Sequence, residues 1–191
     1  VVTMKSSGAA PTDATVSAAI AQFTSYLAPE TNSITTTEIK ALAEQSPIAG
    51  LLKGAKSYLA TSNPASTNGC PAQRYVVLVT DGLPTEDLSS HAWPPLGSEP
   101  GDRYGVTATF NGDGSLDTTN DQALTDAIAQ LQALYSAGVK TYIIGLGAGV
   151  ETAANPEAAA TLKAMAIAGG TGDYFPATSP ADLTNDMQVI L

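Results

Sequence analysis

The chain has one cysteine, one histidine and one tryptophan among 191 residues. A lone Cys70 excludes an internal disulfide. It is either a free thiol or, if the protein is secreted, the partner of a cysteine outside this chain. One histidine and one cysteine cannot form the clusters that hold zinc. Bases are scarce as well: 8 Lys and Arg stand against 18 Asp and Glu, for a net charge of −10. Nucleic-acid binders need basic surfaces that displace counterions, so that class is excluded. No run approaches the ~18 apolar residues of a membrane-spanning helix. Val1 is not an initiator methionine, and no basic-then-apolar leader follows it. The expectation is a mature product or a piece of a larger polypeptide. Also absent are a P-loop, a G-x-S-x-G elbow and a complete dinucleotide fingerprint. The string "GLGAG" at Gly145–Gly149 follows a strand but lacks the full glycine spacing.

What is present suits one globular domain over residues 1–191: 43% hydrophobic residues and no internal repeat. Val1–Met4 can form a short strand. Thr12-Asp13 can cap a helix with Val16, Ala19, Ile20, Phe23 and Leu27 on one face. A short helix is expected over Thr37–Glu44. Ser46-Pro47 reads as the cap and first turn of another, with Ile48, Leu51, Leu52, Ala55 and Leu59 inward. Thr61–Thr67 reads as a surface loop. The apolar run Tyr75–Thr80 predicts a fully buried strand. Residues 87–117 form an irregular insertion, with a small hairpin expected at Gly105–Phe110. Thr118 or Thr119 then caps a helix carrying Leu124, Ile128, Leu131 and Leu134, which Gly138 closes. Thr141–Leu146 is a second strand. Asn155-Pro156-Glu157 opens a helix that Gly169-Gly170 stop. Asp173–Phe175 is a third strand, and Ser179-Pro180 starts a last helix.

This alternation predicts an α/β fold: a doubly wound, mostly parallel sheet with helices on both faces. Binding sites of such sheets lie beyond the carboxyl ends of the strands. Asp81, at the end of "RYVVLVTDGLP", stands at that edge. Hard cations such as Mg²⁺ and Ca²⁺ take oxygen ligands. Asp81 offers a carboxylate and Ser46 a hydroxyl. The lone His91, in "SSHAWPPLG", reads as a surface residue, Asp126 and Glu157 as solvated helix residues. Asn111–Asp117 ("NGDGSLD") has oxygens at alternate positions, faintly like a calcium loop. Its twelfth position is Gln122 rather than an acid, which favours a plain Asp/Gly turn.

From Ser46 to Leu191 the chain resembles the second half of a von Willebrand factor type A domain. The matching strings are "QSPIAGLLKGAKSYL", "RYVVLVTDGLP", "GVKTYIIGLG" and "GGTGDYFPATSPADLTNDM". The resemblance implies a Rossmann-like fold and a metal-ion-dependent adhesion site, with Ser46 at its hydroxyl position and Asp81 at its acid position. The family's D-x-S-x-S is not found. Lys5-Ser6-Ser7-Gly8-Ala9 has a lysine where the acid belongs, and an ammonium repels a cation. The implied D-x-S-x-S, and with it the first strand, are expected upstream of Val1, and so is a partner for Cys70.

Residues 1–32, the "QSPIAGLLKGAKSYL" helix and the insertion "WPPLGS…YGVTATFNGDGSL" further resemble the type A domain of bacterial type IV pilus tip adhesins. That resemblance implies an extracellular, pilus-tip adhesion module. It would bind Mg²⁺ or Ca²⁺ and take a protein partner, a host or surface ligand, or minor pilus subunits. No nucleophile with its base is apparent, so binding is expected rather than catalysis. The alternatives are a metal-free structural domain of a surface assembly and a hydrolase built on His91 with a nearby acid.

Overall fold

The computed structural model describes residues 17–18, 21, 24–25, 45–62, 73–147 and 155–190. The chain divides into two compact units, 1–44 with 63–73, and 45–62 with 74–191. In the first, Ser17, Ala18, Ala21, Thr24 and Ser25 are helical and exposed. They lie between the apolar positions expected from the sequence, on the opposite face. The Val1–Met4 strand, the Lys5–Ala9 string, the Thr37–Glu44 helix and Cys70 lie outside the described residues.

The second unit is a mixed α/β fold compatible with a Rossmann-like arrangement. Its helices are α1 (Ile48–Thr61), α2 (Glu99–Tyr104), α3 (Gln122–Ser136), α4 (Pro156–Ala168) and α5 (Pro180–Ile190). Its strands are β1 (Tyr75–Thr80), β2 (Ala108–Phe110), β3 (Leu116–Thr119), β4 (Lys140–Leu146) and β5 (Phe175–Ala177). Strands β1, β4 and β5 form a parallel sheet in the order β1-β4-β5. Leu78 pairs with Ile143, and Ile144 with Phe175. Strands β2 and β3 form a separate antiparallel hairpin.

Alternate residues of each strand face opposite sides, and each side has its own core. Leu78 and Ile143 join Leu52, Leu124, Leu131, Leu134, Leu162 and Met165, so α1, α3 and α4 cover one face. Ile144 and Ala177 join Ile190, with Leu183 and Met187 beside them, so α5 covers the other. Tyr75, Tyr142 and Phe175 form an aromatic row on that second face, with ring centroids 5.8 and 6.3 Å apart.

Local caps explain the later helix starts. The Asn155 side chain accepts from the Ala158 N–H, and Pro156 follows in the first turn. Ser179 accepts from the Asp182 N–H, while Asp182 accepts back from the Ser179 N–H, a reciprocal capping box. Gly138, at φ 77°, ends α3 in the left-handed conformation that glycine takes without steric cost.

Several expectations are corrected. Strand β1 is not fully buried: Tyr75 is 43% and Val79 44% exposed. Among the described residues it stands at the end of the sheet, and α5 packs chiefly on β5 and β4. Leu51 is 60% exposed on α1, because Ile48, Ala49 and Leu52 supply its inward face. The hairpin is 108–119 rather than 105–110, since residues 111–115 make its turn. The insertion also holds α2. The cap of α3 is Asp121, whose Oδ1 accepts from the Leu124 N–H at 3.1 Å, not Thr118 or Thr119, which belong to β3. The third strand begins at Phe175 rather than Asp173.

Candidate functional site

Strand β1 ends in a turn closed by its own last side chain. The Thr80 hydroxyl donates to the Gly82 carbonyl at 2.7 Å and accepts from the Gly82 N–H at 3.2 Å. This turn leaves Asp81 exposed, and no hydrogen bond or ion pair engages its carboxylate among the described residues. Gly82 comes close to Ser46: a Cβ at Gly82 would lie 3.5 Å from the Ser46 Oγ. The structure therefore brings the neighbourhoods of Ser46 and Asp81 together at the carboxyl edge of the sheet.

Ser46 is fixed by its backbone rather than its side chain. Its N–H donates to the Thr85 Oγ1 at 2.6 Å, and its carbonyl accepts from the Thr85 N–H at 3.1 Å. Thr85 is buried. The expected helix cap is corrected here. Pro47 holds the N-cap position of α1 and no side chain caps it, so the Ser46 hydroxyl is not spent on the helix.

Thr85 opens a tight loop that ends at Trp93. The Trp93 N–H donates to the Thr85 carbonyl at 2.8 Å, and Glu86 and Ala92 form a bridge. At its centre is the buried Asp87 carboxylate. One oxygen accepts from the Ser89 N–H at 2.8 Å and the His91 N–H at 3.0 Å. The other meets the His91 Nδ1 and the Trp93 Nε1–H, both at 3.1 Å. The His91 N–H first, then the Trp93 indole, the Ser89 N–H and the His91 ring, bring the Asp87 pKa down to about 2 against the opposing effect of burial. His91 is a surface residue, its side chain 74% exposed, with its Nδ1 turned to Asp87.

A second tie runs from this loop to α3, where the Leu88 N–H donates to Asp126 Oδ2 at 2.8 Å. Asp126 is thus a loop anchor rather than a solvated residue. Beside it, burial raises the pKa of the Asp121 cap, in part offset by the N–H groups of Leu124 and Ala123. The Asn111–Asp117 segment is a turn. Asp113 Oδ1 is taken by the Ser115 N–H and Oγ at 2.9 and 2.7 Å, and Gly114 sits at φ 91°.

Ser46 and Asp81 supply the hard oxygen donors that Mg²⁺ or Ca²⁺ prefers, and Asp81 has no competing partner among the described residues. The donor chemistry fits, but the number is short. No group of three or more His, Cys, Asp or Glu side chains placed to hold a metal occurs among the described residues. No helix among them is long and apolar enough to cross a membrane.

Reasoning from sequence missed Thr85, Asp87 and Asp121. Asp121 stands two residues before the apolar pair Ala123-Leu124, which is a cap signal. Asp87 with Ser89 has the spacing of an Asx-turn. Thr85 carried no signal, because its partner lies 39 positions away. Comparison with known proteins finds no family model, no curated protein and no solved structure that matches this chain.

Proposed function

We propose that this chain is a binding module of the von Willebrand factor type A kind, part of an extracellular adhesin of a bacterial type IV pilus tip. It would engage a protein or surface ligand through a divalent cation held at Ser46 and Asp81. The observation that carries this reading is the approach of Gly82, the chain neighbour of Asp81, to the Ser46 Oγ at the carboxyl edge of a parallel sheet, with Asp81 exposed. The strings that resemble the type A family support it, and so does the net charge of −10, which favours cations over anions.

Ser46 contributes a neutral hydroxyl and Asp81 a single negative charge. Two protein oxygens leave most positions of a six- to eight-coordinate cation to other ligands, such as water and a partner carboxylate. No bond is broken in such a recognition step.

Isothermal titration of the full chain with Mn²⁺, Mg²⁺ and Ca²⁺ tests the proposal. Saturable binding in the wild type that disappears in Asp81→Ala is the expected result. A flat titration in the wild type would instead favour a metal-free structural domain of a surface assembly.

A further inference from the structure

Resting on the cation reading above, we infer that Thr85 is the positioning residue of the candidate site, and that the loop from Thr85 to Trp93 braces it. Ser46 lies outside regular structure, two residues before α1, a place where a backbone ordinarily retains freedom. Two hydrogen bonds of opposite polarity remove that freedom. The Ser46 N–H donates to the Thr85 Oγ1, and the Thr85 N–H donates to the Ser46 carbonyl. The pair fixes the Ser46 peptide groups on both sides of its Cα, so the Oγ can only swing about the Cα–Cβ bond. Gly82 faces the Oγ without a side chain of its own: a Cβ there would lie 3.5 Å from it.

Thr85 in turn cannot drift. Its carbonyl accepts from the Trp93 N–H, and the Trp93 indole donates to the buried Asp87. Asp87 also gathers the Ser89 and His91 N–H groups and the His91 ring, and the Leu88 N–H ties the loop to Asp126 on α3. The chain of contacts therefore runs from the rigid helix α3 through Asp126 and the Asp87 loop to Thr85 and Ser46. The loop holds its own polar groups satisfied and presents one free task, which is to hold the hydroxyl-bearing residue beside the strand end. Groups that orient a ligand without touching the metal commonly account for about 10- to 100-fold of affinity.

The test uses the full chain with Mn²⁺ as probe and amide hydrogen exchange as a readout that needs no metal. In the metal-free protein, the Ser46 and Thr85 amides are expected to be protected. Thr85→Val keeps the shape and loses the acceptor, and Thr85→Ser keeps the acceptor. The expected result is that Thr85→Val exposes the Ser46 amide to exchange and weakens Mn²⁺ binding about tenfold, while Thr85→Ser restores both. If Thr85→Val does not fold, Asp87→Asn loosens the brace instead, and faster exchange at Ser46 with a few-fold loss of Mn²⁺ affinity is expected. Mn²⁺ binding that is present in the wild type and unchanged in the variants overturns this inference alone. No Mn²⁺ binding in the wild type overturns the cation reading, and the role of Thr85 falls with it.

Discussion

At the end of β1 the Asp81 carboxylate is exposed and unengaged among the described residues, whereas the Asp87 carboxylate, one short turn later, is buried beneath four donors. Both are aspartates in the same stretch of chain, and between them lie Gly82 and Thr85, the two residues that approach Ser46. The difference between them is solvation. A carboxylate removed from water must recover its hydrogen bonds from the protein, and Asp87 recovers them from groups within its own loop. Asp81 keeps its lone pairs in water, where a cation or a partner can reach them. An acid becomes available for a ligand by what the fold leaves unsatisfied, not by its identity.

The contrast is most sharply tested by deletion. Asp87→Ala takes the acceptor from the Ser89 N–H, the His91 N–H, the His91 ring and the half-buried Trp93 indole, and a donor left without its acceptor costs stability. A fall of several degrees in Tm by scanning calorimetry is expected. Asp81→Ala removes an exposed carboxylate with no partner among the described residues, and its Tm should stay within about 2 °C of wild type. Equal shifts in the two variants would break the comparison.

A smaller effect follows from the lowered pKa of Asp87. The folded-state pKa of Asp87 is about 2, below its ordinary value of 3.8, so the unfolded chain binds the proton more readily. The stabilisation that Asp87 provides is complete above the ordinary carboxylate range and is lost as pH falls from about 4 towards 2. Unfolding by urea across that window should show a shallower acid limb in Asp87→Asn than in wild type.

The smallest effect concerns two threonines. Thr80 spends its hydroxyl on both polar groups of Gly82. Thr141 on β4 is fully buried, and its hydroxyl has no partner among the described residues. Thr141→Val has nearly the same shape and discards an unpaired polar atom. It should stabilise the protein by about 1 kcal/mol, seen as a Tm higher by about 2–4 °C. Thr80→Val should instead lower Tm, because the Gly82 N–H would lose its acceptor.

Much of the fold was legible because its signals are local. Asn155-Pro156 and Ser179-Pro180 announce helix starts through caps that reach no further than three residues. The alternation of strands and helices needs only hydrophobic periodicity. The burial of β1 was not legible, because a run of apolar residues does not state which of its side chains a helix will cover, and α5 packs chiefly on β5 and β4. Leu51 was misplaced for a related reason. A helix face at 3.6-residue spacing is wide, and only the packing of α1 on α3 and the sheet chooses which side turns inward. The reading of Ser46 as a helix cap failed: Pro47 holds that position, and Thr85, 39 positions away, holds the Ser46 backbone.

The sequence by itself determined the order of elements, the acidic balance and the position of Asp81 at a strand end, since these depend on composition, periodicity and short-range chemistry. Only the tertiary structure decided that Gly82 lies under the Ser46 hydroxyl, that Thr85 clamps Ser46 and that Asp87 rather than Asp81 is saturated with donors. Those outcomes depend on residues brought together after the chain turns back on itself. Hydrogen bonds between distant positions leave no periodic trace, because any acceptor at the right place in space satisfies the same donor.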